Sequence, residues 1–415
     1  MSILHSRAAR VRLVELDLLP IEVAQHCRHL EGMVFFDSAR ENGDVGQISV
    51  IAVQPSEVLR GTIYQDFEQL RDEIAARQVE TLDCGIPTGF AAGWLEYDGA
   101  YCFGMYDRAL VFRHSDDAWF EVGGFLDGVN LSGGAESEEF GGSVTFEGAT
   151  TREEYCEMVR RAQEYIAAGD IYQVNLAHRL TARWEGDAFS FYEQLRESSP
   201  APYGAYLGLD DRKVLSTSPE CFLTMSGSAI CTRPIKGTRP RRADPTADEK
   251  SAYDLMTSPK EVAELVMITD LERNDLGQVC DYGSVRVREL LKLERYEQVF
   301  HLVSTVEGRL VAGVDHVTAL RACFPGGSIT GAPKKRAREI IAELESEPRG
   351  LYTGALGWFG FNGESRFNIA IRTVVIEHGE AHFHVGAGIV ADSVAEKEWE
   401  ETQDKAAGIL LATRG

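Results

Sequence analysis

The sequence predicts an α+β protein built on antiparallel β-sheets. Short β-rich segments and amphipathic helical segments intermix along its 415 residues. They lack the regular strand–helix alternation that a parallel sheet requires. Several β-rich segments are joined by turns containing Gly, Asp or Asn, which is typical of antiparallel hairpins. The length suits two or three domains.

The first element is a β-rich N-terminal subdomain, predicted for residues 1–145. Residues 34–38 and 48–53 are short β-rich segments, and residues 89–122 have the pattern of hairpins. Residues 127–143 are rich in Gly, Ser and Glu and predict a linker or exposed loop.

A second, larger domain is predicted for residues 150–415. Thr151 and Glu154 have the spacing of a capping box, and a helical pattern follows until Gly169. Helices and strands then intermix up to a last helix that ends the chain.

The charge balance excludes several classes of protein. The chain has 42 Lys and Arg against 65 Asp and Glu, a formal net charge of −23. A nucleic-acid binder needs a basic surface, and an anionic membrane repels an acidic chain. No stretch approaches the roughly 18 apolar residues of a spanning helix, and the first residues lack the apolar segment of a secretory signal. The eight cysteines form no CxxC pair. We therefore expect a cytoplasmic enzyme with free thiols.

The acid is unevenly distributed. Residues 1–150 contain 25 Asp and Glu and 10 Arg but no lysine. An acidic solvated surface explains this composition. Chemistry on an anionic substrate is therefore expected in the second part of the chain.

Lys236 and Glu220 form the first candidate pair. Glu220 follows Ser218-Pro219, Lys236 lies in the segment PIKGT, and two β-rich runs lie between them. The two side chains can face each other across a hairpin. A partly buried lysine can act as a nucleophile, and a nearby glutamate can move the proton. The alternative is a surface lysine in a basic loop.

Two helices carry candidate carboxylates. Ser258 and Pro259 mark the start of the first helix, in which Glu261 and Glu264 share a face. The alternative is that both glutamates face solvent.

The last helix presents a second acidic face. Ser393 and Glu396 have the spacing to cap it, and Glu398, Glu401 and Lys405 follow on one side. The alternative is a row of surface ion pairs.

A Mg²⁺ site would combine these two helices. Glu264 and Glu401 would be the pair of ligands, because hard carboxylate oxygens on rigid helices suit this ion. A substrate carboxylate would complete the coordination.

Further segments suggest anion binding. An Asn362-Gly363 turn predicts a hairpin, and alternation over residues 368–376 puts Arg372 on an apolar face. A substrate carboxylate or a buried acidic side chain would pair with it.

Two Gly-rich segments also allow an anion to approach the backbone. These are Gly386-Ala387-Gly388 and a loop that enters a helix near Pro333. The loop lacks the GK[ST] ending of a nucleotide-binding P-loop. His382 and His384 have no third metal ligand nearby in sequence, so a metal site is not expected there.

Taken together, these segments resemble the chorismate-utilising enzyme family. The resemblance covers most of residues 165–407 in order, and the N-terminal part matches through FFDSA and GWLEYDG. It implies two facing antiparallel sheets in a sandwich flanked by helices, as in anthranilate synthase component I. The matching segments are IYQVNLAHR, SPECF, RPIKGTRPR, KEVAELVMITDLERNDLG, HLVSTVEGRL, FPGGSITGAPK, GALGWFGF, FNIAIRT and GAGIVADSVAEKEWEET.

Two positions indicate a branch of the family. The chain has Lys236 where anthranilate and isochorismate synthases usually have Ala, and Gln173 where isochorismate and salicylate synthases have a water-activating Lys. Both residues resemble those of aminodeoxychorismate synthase component I. The resemblance thus implies Mg²⁺-dependent conversion of chorismate and ammonia to 4-amino-4-deoxychorismate, for 4-aminobenzoate and folate biosynthesis.

The resemblance also implies roles for single residues. Lys236 resembles the nucleophile and Glu220 the general acid and base, while Glu264, Glu401 and Glu398 resemble the metal-site carboxylates. The residues that resemble substrate contacts are Gly237, Thr238, His301, Thr330, Tyr352, Arg372, Gly386, Ala387, Gly388 and Lys405.

Partners follow from the same resemblance. No segment resembles a glutaminase triad, so we expect the chain to use free ammonia alone or to take ammonia from a separate glutaminase subunit. FFDSA resembles the tryptophan-binding segment of related enzymes but departs from it at Phe35, Phe36 and Asp37. One alternative is an anthranilate or 2-amino-2-deoxyisochorismate synthase component I. The other is a non-catalytic binding or regulatory subunit.

Overall fold

The computed structural model describes residues 11–39, 47–79, 85–131, 144–296 and 299–413. Most of the predicted linker, from residue 132 onwards, lies outside the described residues. The described residues contain these strands: β1 Val11–Val14, β2 Val34–Asp37, β3 Ile48–Ala52, β4 Glu57–Thr62, β5 Phe90–Leu95, β6 Ala100–Tyr106, β7 Ala109–Arg113, β8 Ala118–Val122, β9 Glu147–Gly148, β10 Gln173–Arg183, β11 Tyr203–Leu209, β12 Arg212–Ser218, β13 Cys221–Ser226, β14 Ala229–Arg233, β15 Ile235–Pro240, β16 Arg286–Arg295, β17 Val299–Arg309, β18 Gly331–Ala332, β19 Ala355–Gly360, β20 Glu364–Ile369, β21 Thr373–Glu377 and β22 Glu380–Ile389.

Helices pack on the outside of the sheets. None of the described helices is long and apolar enough to cross a membrane. The helices are α1 Pro20–Cys27, α2 Phe67–Ala76, α3 Arg152–Ala167, α4 Ala188–Ser198, α5 Pro245–Met256, α6 Pro259–Gly277, α7 His316–Cys323, α8 Lys334–Leu344 and α9 Ala395–Ala412.

The strands form two antiparallel sheets. The first has 12 strands, in the order β1-β8-β7-β3-β2-β11-β12-β21-β22-β10-β18, with β9 beside β10. The second has 10 strands, in the order β15-β17-β14-β13-β20-β19-β5-β6-β4, with β16 beside β17. The α+β prediction and its two antiparallel sheets are therefore confirmed.

The main core lies between the two sheets. Val50 and Leu207 from the first sheet pack in one buried cluster with Trp94 and Trp358 from the second. Helices α1, α4 and α9 cover the outer face of the first sheet, and α2, α6 and α7 cover the second. The N-terminal strands belong to both sheets, so residues 11–131 share the sandwich with the rest of the chain.

Local sequence signals correctly predict several element boundaries. Thr151 accepts a hydrogen bond from the amide of Glu154 at the start of α3, and Ser258 caps α6 with Pro259 as its first residue. The Ser393 cap is wrong. Helix α9 begins two residues later, and the Ser393 hydroxyl accepts from the amide of Val390 instead. The hydroxyl stabilises the preceding turn rather than the helix.

The chain crosses between the sheets at two adjacent points. It leaves β12 for β13 at residues 219–220 and leaves β20 for β21 at residues 370–372. The predicted single alternating face over residues 368–376 is therefore wrong, because Arg372 lies in the crossover with a φ of 49°. Its carbonyl accepts from the amide of Thr217, which joins the two crossovers. Glu220 and Arg372 thus lie where the sheets meet.

Candidate active site

Lys236 and Glu220 come together as the sequence predicted. Strands β13 and β14 form a hairpin between them, and the Glu220 Oε1 accepts from the amide of Ile235 at 3.4 Å. Glu220 is only 5% exposed. Lys236 is half-buried on β15 and donates to the carbonyl of Ser328 at 3.1 Å. The basic surface loop is therefore not the environment of Lys236.

Burial controls the ionisation of Glu220. It raises the pKa of this carboxyl, against the lowering effects of a hydrogen bond with the Ser328 side chain and of the Lys236 charge. A carboxyl with a raised pKa keeps its proton at higher pH than usual. Glu220 is thus suited to give a proton to a departing group and take one back.

Strand β17 adds a polar pair beside Lys236. His301 is opposite Thr238 in the β15–β17 ladder, and its Nδ1 lies 3.0 Å from the Thr238 hydroxyl. Gly237 has a φ of 77°, and a Cβ there would lie 2.9 Å from the carboxylate of Glu261. Any side chain at this position would clash, so only glycine allows the β15 backbone to lie this close to α6.

The predicted metal carboxylates lie on α6 and α9. Glu264 is 9% exposed and Glu398 is 3% exposed, so the alternative in which Glu264 faces solvent is wrong. Lys260 lies between them, with its Nζ 3.1 Å from Glu398 Oε1 and 4.0 Å from Glu264 Oε1. Glu401 is bound by Lys405 at 2.8 Å. The two helices therefore present their carboxylates to one shared cluster.

Glu264 and Glu401 differ in their electrostatics. Burial raises the pKa of Glu264, and the nearby charge of Glu401 adds to this, while Lys236 and Lys260 act against it. Burial alone would also raise the pKa of Glu401. Lys405 outweighs that effect and lowers it. Of these two carboxylates, Glu264 is thus the one whose burial is not offset by neighbouring positive charge.

The donor set fits a hard divalent cation. Glu264 Oε1 and Glu398 Oε2 are buried and have no hydrogen-bond partner. Such oxygens are costly to bury unless they are paired or bind a metal. Within the described residues, however, no three His, Cys, Asp or Glu side chains are close enough together to hold one ion. A cation here would need oxygen atoms from substrate or water as well.

Strand β22 brings the backbone close to these groups. A Cβ on Gly388 would lie 2.5 Å from the Gln173 amide nitrogen and 3.9 Å from Glu264 Oε2. A Cβ on Gly386 would lie 2.8 Å from the Tyr352 hydroxyl. Ala387 lies between the two glycines and is buried against β10. The absence of a side chain at the two glycines therefore lets Gln173 and Tyr352 pack directly against the β22 backbone, beside the carboxylate cluster.

Lys405 and Arg372 are the two positive residues predicted to contact the substrate. Lys405 joins α9 to β22 by donating to the carbonyl of Gly386 at 2.8 Å. Arg372 is half-buried at the sheet crossover. Thr330 is fully buried, and its hydroxyl donates to the carbonyl of Gly326 at 2.9 Å. This bond stabilises the 326–330 loop.

Sequence reasoning missed three residues that support the site. Lys260 is four residues before Glu264 on the same helix face, a spacing that could have revealed it. Ser328 acts partly through its backbone carbonyl, which leaves no sequence signal. Arg349 is 4% exposed and donates to the carbonyls of Asn175 and Ile329, at 2.7 and 3.1 Å.

His382 and His384 are buried side chains on β22. Burial lowers the pKa of His382 to about 4 and that of His384 further. His384 stacks on Tyr352 with ring centroids 5.2 Å apart. His384 therefore supports the ring of Tyr352.

Residues 33–411 match the model of a family described as chorismate binding enzyme. This span is most of the chain and includes every candidate site residue named above. The chain belongs to the chorismate binding enzyme family. The predicted resemblance is confirmed.

Similar proteins of this family have two different names. Aminodeoxychorismate synthase component 1 of Bacillus subtilis is 47% identical over 262 residues, which are 63% of this chain and 56% of that protein. Anthranilate synthase component 1 of Thermus thermophilus is 47% identical over 279 residues, 67% of this chain and 60% of that protein. The matched part is thus about 60% of these relatives' length, and identity alone does not distinguish the two names.

A solved structure shows the same fold. Anthranilate synthase component I from Streptococcus pneumoniae TIGR4 superimposes with a TM-score of 0.74 and 26% identity, over 99% of this chain and 94% of that chain. The facing-sheet sandwich predicted from the family resemblance is confirmed.

Proposed function

We propose that this chain is a chorismate-aminating synthase that makes 4-amino-4-deoxychorismate. The observation that carries the proposal is the arrangement of Lys236 and Glu220, which both contact Ser328. An amine and a buried carboxylic acid that contact the same loop residue are suited to nucleophilic substitution with proton transfer. The relatives named aminodeoxychorismate synthase component 1 support this choice.

The proposed reaction has two substitutions. The unprotonated amine of Lys236 bonds to ring carbon 2, the ring double bond shifts, and the carbon–oxygen bond at carbon 4 breaks. Glu220 gives its proton to the departing hydroxyl, which leaves as water. Ammonia then bonds to carbon 4, the double bond shifts back, and the bond from carbon 2 to Lys236 breaks. Glu220 takes up the proton that ammonia loses.

Glu264 and Glu401 would hold Mg²⁺, with Glu398 close by and with oxygen atoms of substrate or water completing the coordination. When bound, this ion neutralises the ring carboxylate and fixes the ring in place. Arg372 and Lys405 would pair with the remaining negative charge of the substrate, and the backbone of Gly386, Ala387 and Gly388 would let it approach closely. The unpartnered buried oxygens of Glu264 and Glu398 support a cation at this position.

The remaining contacts would orient the ring. Tyr352, His301 and Thr238 present polar groups around Lys236 and β22, and Gly237 keeps the backbone close to α6. Thr330 would act by shaping the 326–330 loop, since its hydroxyl is bonded within that loop.

Ammonia would come from a separate glutaminase subunit, in keeping with the designation of the relatives as component 1. The product would serve 4-aminobenzoate and folate synthesis in the cytoplasm. The buried free cysteines, such as Cys27 and Cys323, support a reducing compartment.

The second candidate is an anthranilate synthase component I. It is favoured by the Thermus relative, whose identity to this chain is also 47%. Lys236 argues against it, because amination at carbon 2 needs no lysine nucleophile at that carbon.

The decisive experiment is product identification from chorismate with ammonium and Mg²⁺. We expect 4-amino-4-deoxychorismate, separated by chromatography and identified by mass spectrometry. Fluorescent anthranilate as the main product would establish the second candidate. No turnover at all would favour a non-catalytic binding or regulatory subunit.

A second measurement tests the nucleophile. Protein incubated with chorismate but without ammonia should carry a covalent adduct on the peptide containing Lys236. Lys236→Ala should lose both the adduct and the product. Lys250→Ala is the matched control, because Lys250 is an exposed lysine on α5. Normal turnover by Lys236→Ala would refute the proposed mechanism.

A further inference from the structure

We infer that Glu272 is a positioning residue that holds the 326–330 loop, and with it Lys236 and Glu220, in the reactive arrangement. The inference deepens the proposed function and rests on it for the roles of those two residues. Glu272 itself is assigned no contact with substrate.

The position of Glu272 is the first support. It lies on α6 eight residues after Glu264, about two turns further along the same face. It is only 2% exposed, and its Oε1 accepts from the amide of Gly327 at 2.9 Å. Its Oε2 is buried and has no partner. The only hydrogen bond that the described residues give this carboxylate therefore goes to the loop.

The 326–330 loop connects Glu272 to Lys236 and Glu220. Ser328 follows Gly327 directly, and its carbonyl accepts from Lys236 while its side chain bonds to Glu220. A Cβ on Gly327 would lie 2.5 Å from a methyl group of Leu271 and 3.1 Å from Glu272 Oε1. The loop is thus seated directly on α6, and a shift of Gly327 moves Ser328.

The environment of Glu272 gives no stability reason for a carboxylate. Burial raises its pKa to about 7, with further raising by Asp275 and a smaller contribution from Glu220, while Lys334 and the Gly327 amide act against this. Cys323 is the other titratable neighbour. An apolar side chain of similar volume is often as stable as a buried charge or more so. A role in holding the loop explains its presence.

The experiment compares Glu272→Gln, Glu272→Ala and the control Asp270→Ala. Gln keeps an oxygen that can accept from Gly327, and Asp270 is an exposed carboxylate on the same helix. In Glu272→Ala we expect kcat and the rate of Lys236 adduct formation to fall about 10- to 100-fold, because small displacements of reacting groups cost this much. KM should change less than about threefold, since the substrate contacts remain. Glu272→Gln and Asp270→Ala should stay close to wild type.

Hydrogen exchange supplies a readout that needs no activity. Exchange over residues 326–330 should be faster in folded Glu272→Ala and unchanged in Glu272→Gln. Unchanged exchange and kcat in Glu272→Ala would overturn the inference. So would an equal loss in the Gln variant, because the charge rather than the hydrogen bond would then matter. Absence of any adduct in wild type would instead count against the proposed nucleophile, while the exchange result would still test the loop.

Discussion

The N-terminal part of the chain, residues 11–131, and the rest, residues 144–413, bury their carboxylates in different ways. Among the described residues of the first part, the buried carboxylates are Asp37 and Glu121, and each is paired with an arginine. In the second part, Asp275, Glu294 and Glu398 are also paired with a cation, but Glu220 and Glu272 are buried without an ion pair to any described residue. For Glu264, the only ion pair among the described residues is a loose one, with the Lys260 Nζ 4.0 Å away. The first arrangement is typical of structural charges and the second of functional ones.

The net charge of −23 does not indicate where the candidate site lies. The lysine-free first 150 residues contribute more than half of the excess acid, yet supply none of the candidate site residues. The second part is less acidic but holds Glu220 and Glu272, which are buried without an ion pair to a described residue. Burial without a counter-charge, rather than the number of acids, indicates where chemistry is expected.

The largest effect is expected for Glu264→Gln. The change removes one proposed metal ligand and keeps the shape of the side chain. We expect kcat to fall at least about 100-fold, because changes to residues that only support a metal ligand already cost up to about 100-fold. The Mg²⁺ concentration needed for the half-maximal rate should rise. Steady-state rates over a Mg²⁺ titration measure both.

Glu121→Gln is the matched change in the N-terminal part. This carboxylate is 1% exposed, accepts from the Leu126 amide and pairs with Arg12. We expect a loss of stability with kcat and Mg²⁺ dependence unchanged. Equal effects of the two changes on kcat would contradict the division between structural and functional acids.

The next effect is on stability, in Arg196→Met. Arg196 donates to buried Asp37 at 2.6 Å, and removing it leaves the carboxylate without its counter-charge. Fully buried pairs cost 3–5 kcal/mol when broken in this way. We expect about 2 kcal/mol here, because Asp37 can take up a proton instead. Burial already raises the pKa of Asp37 despite Arg196.

Denaturant unfolding measures this loss, and kcat should stay at the wild-type value. Arg183→Met, which breaks an exposed pair with Glu185, should cost less than about 1 kcal/mol. A fall in kcat of folded Arg196→Met would show that the N-terminal part contributes to the site.

The structure brings together several of the side chains that the sequence predicted for the candidate site. Lys236, Glu220 and Glu264 were identified because reactive residue types recurred in segments resembling one family. Ser328 was missed because it acts partly through its own backbone carbonyl, and Arg349 was missed because its side chain binds backbone carbonyls of distant segments. No residue pattern records either contact. Arg372 was placed on a continuous strand because alternation continues across the point where the chain changes sheet. Only the pairing of β20 and β21 with different partners reveals the break.

A smaller effect is expected for the pH dependence of stability. The pKa of Glu272 is raised from 4.5 to about 7 by burial, so the folded protein keeps a proton that the unfolded chain releases. Its contribution to stability is present below about pH 4.5 and is lost as pH rises towards 7. Glu272→Gln should therefore flatten the fall in unfolding free energy between pH 5 and pH 8. An unchanged slope in denaturant titrations at these pH values would show that Glu272 ionises normally.

The smallest effect is expected for tryptophan. The FFDSA segment lines a cavity of about 20 Å³ together with Tyr203 and Trp358. That volume suits about one water molecule and not an indole ring. Asp37 is already engaged by Arg196 and Tyr192. A ligand present at 100 times its Kd would add about 2.7 kcal/mol of stability. We expect millimolar tryptophan to shift the Tm by less than about 1 °C and to leave kcat unchanged. A larger shift would mean that the sheets separate at this cavity, and that the N-terminal part binds a ligand after all.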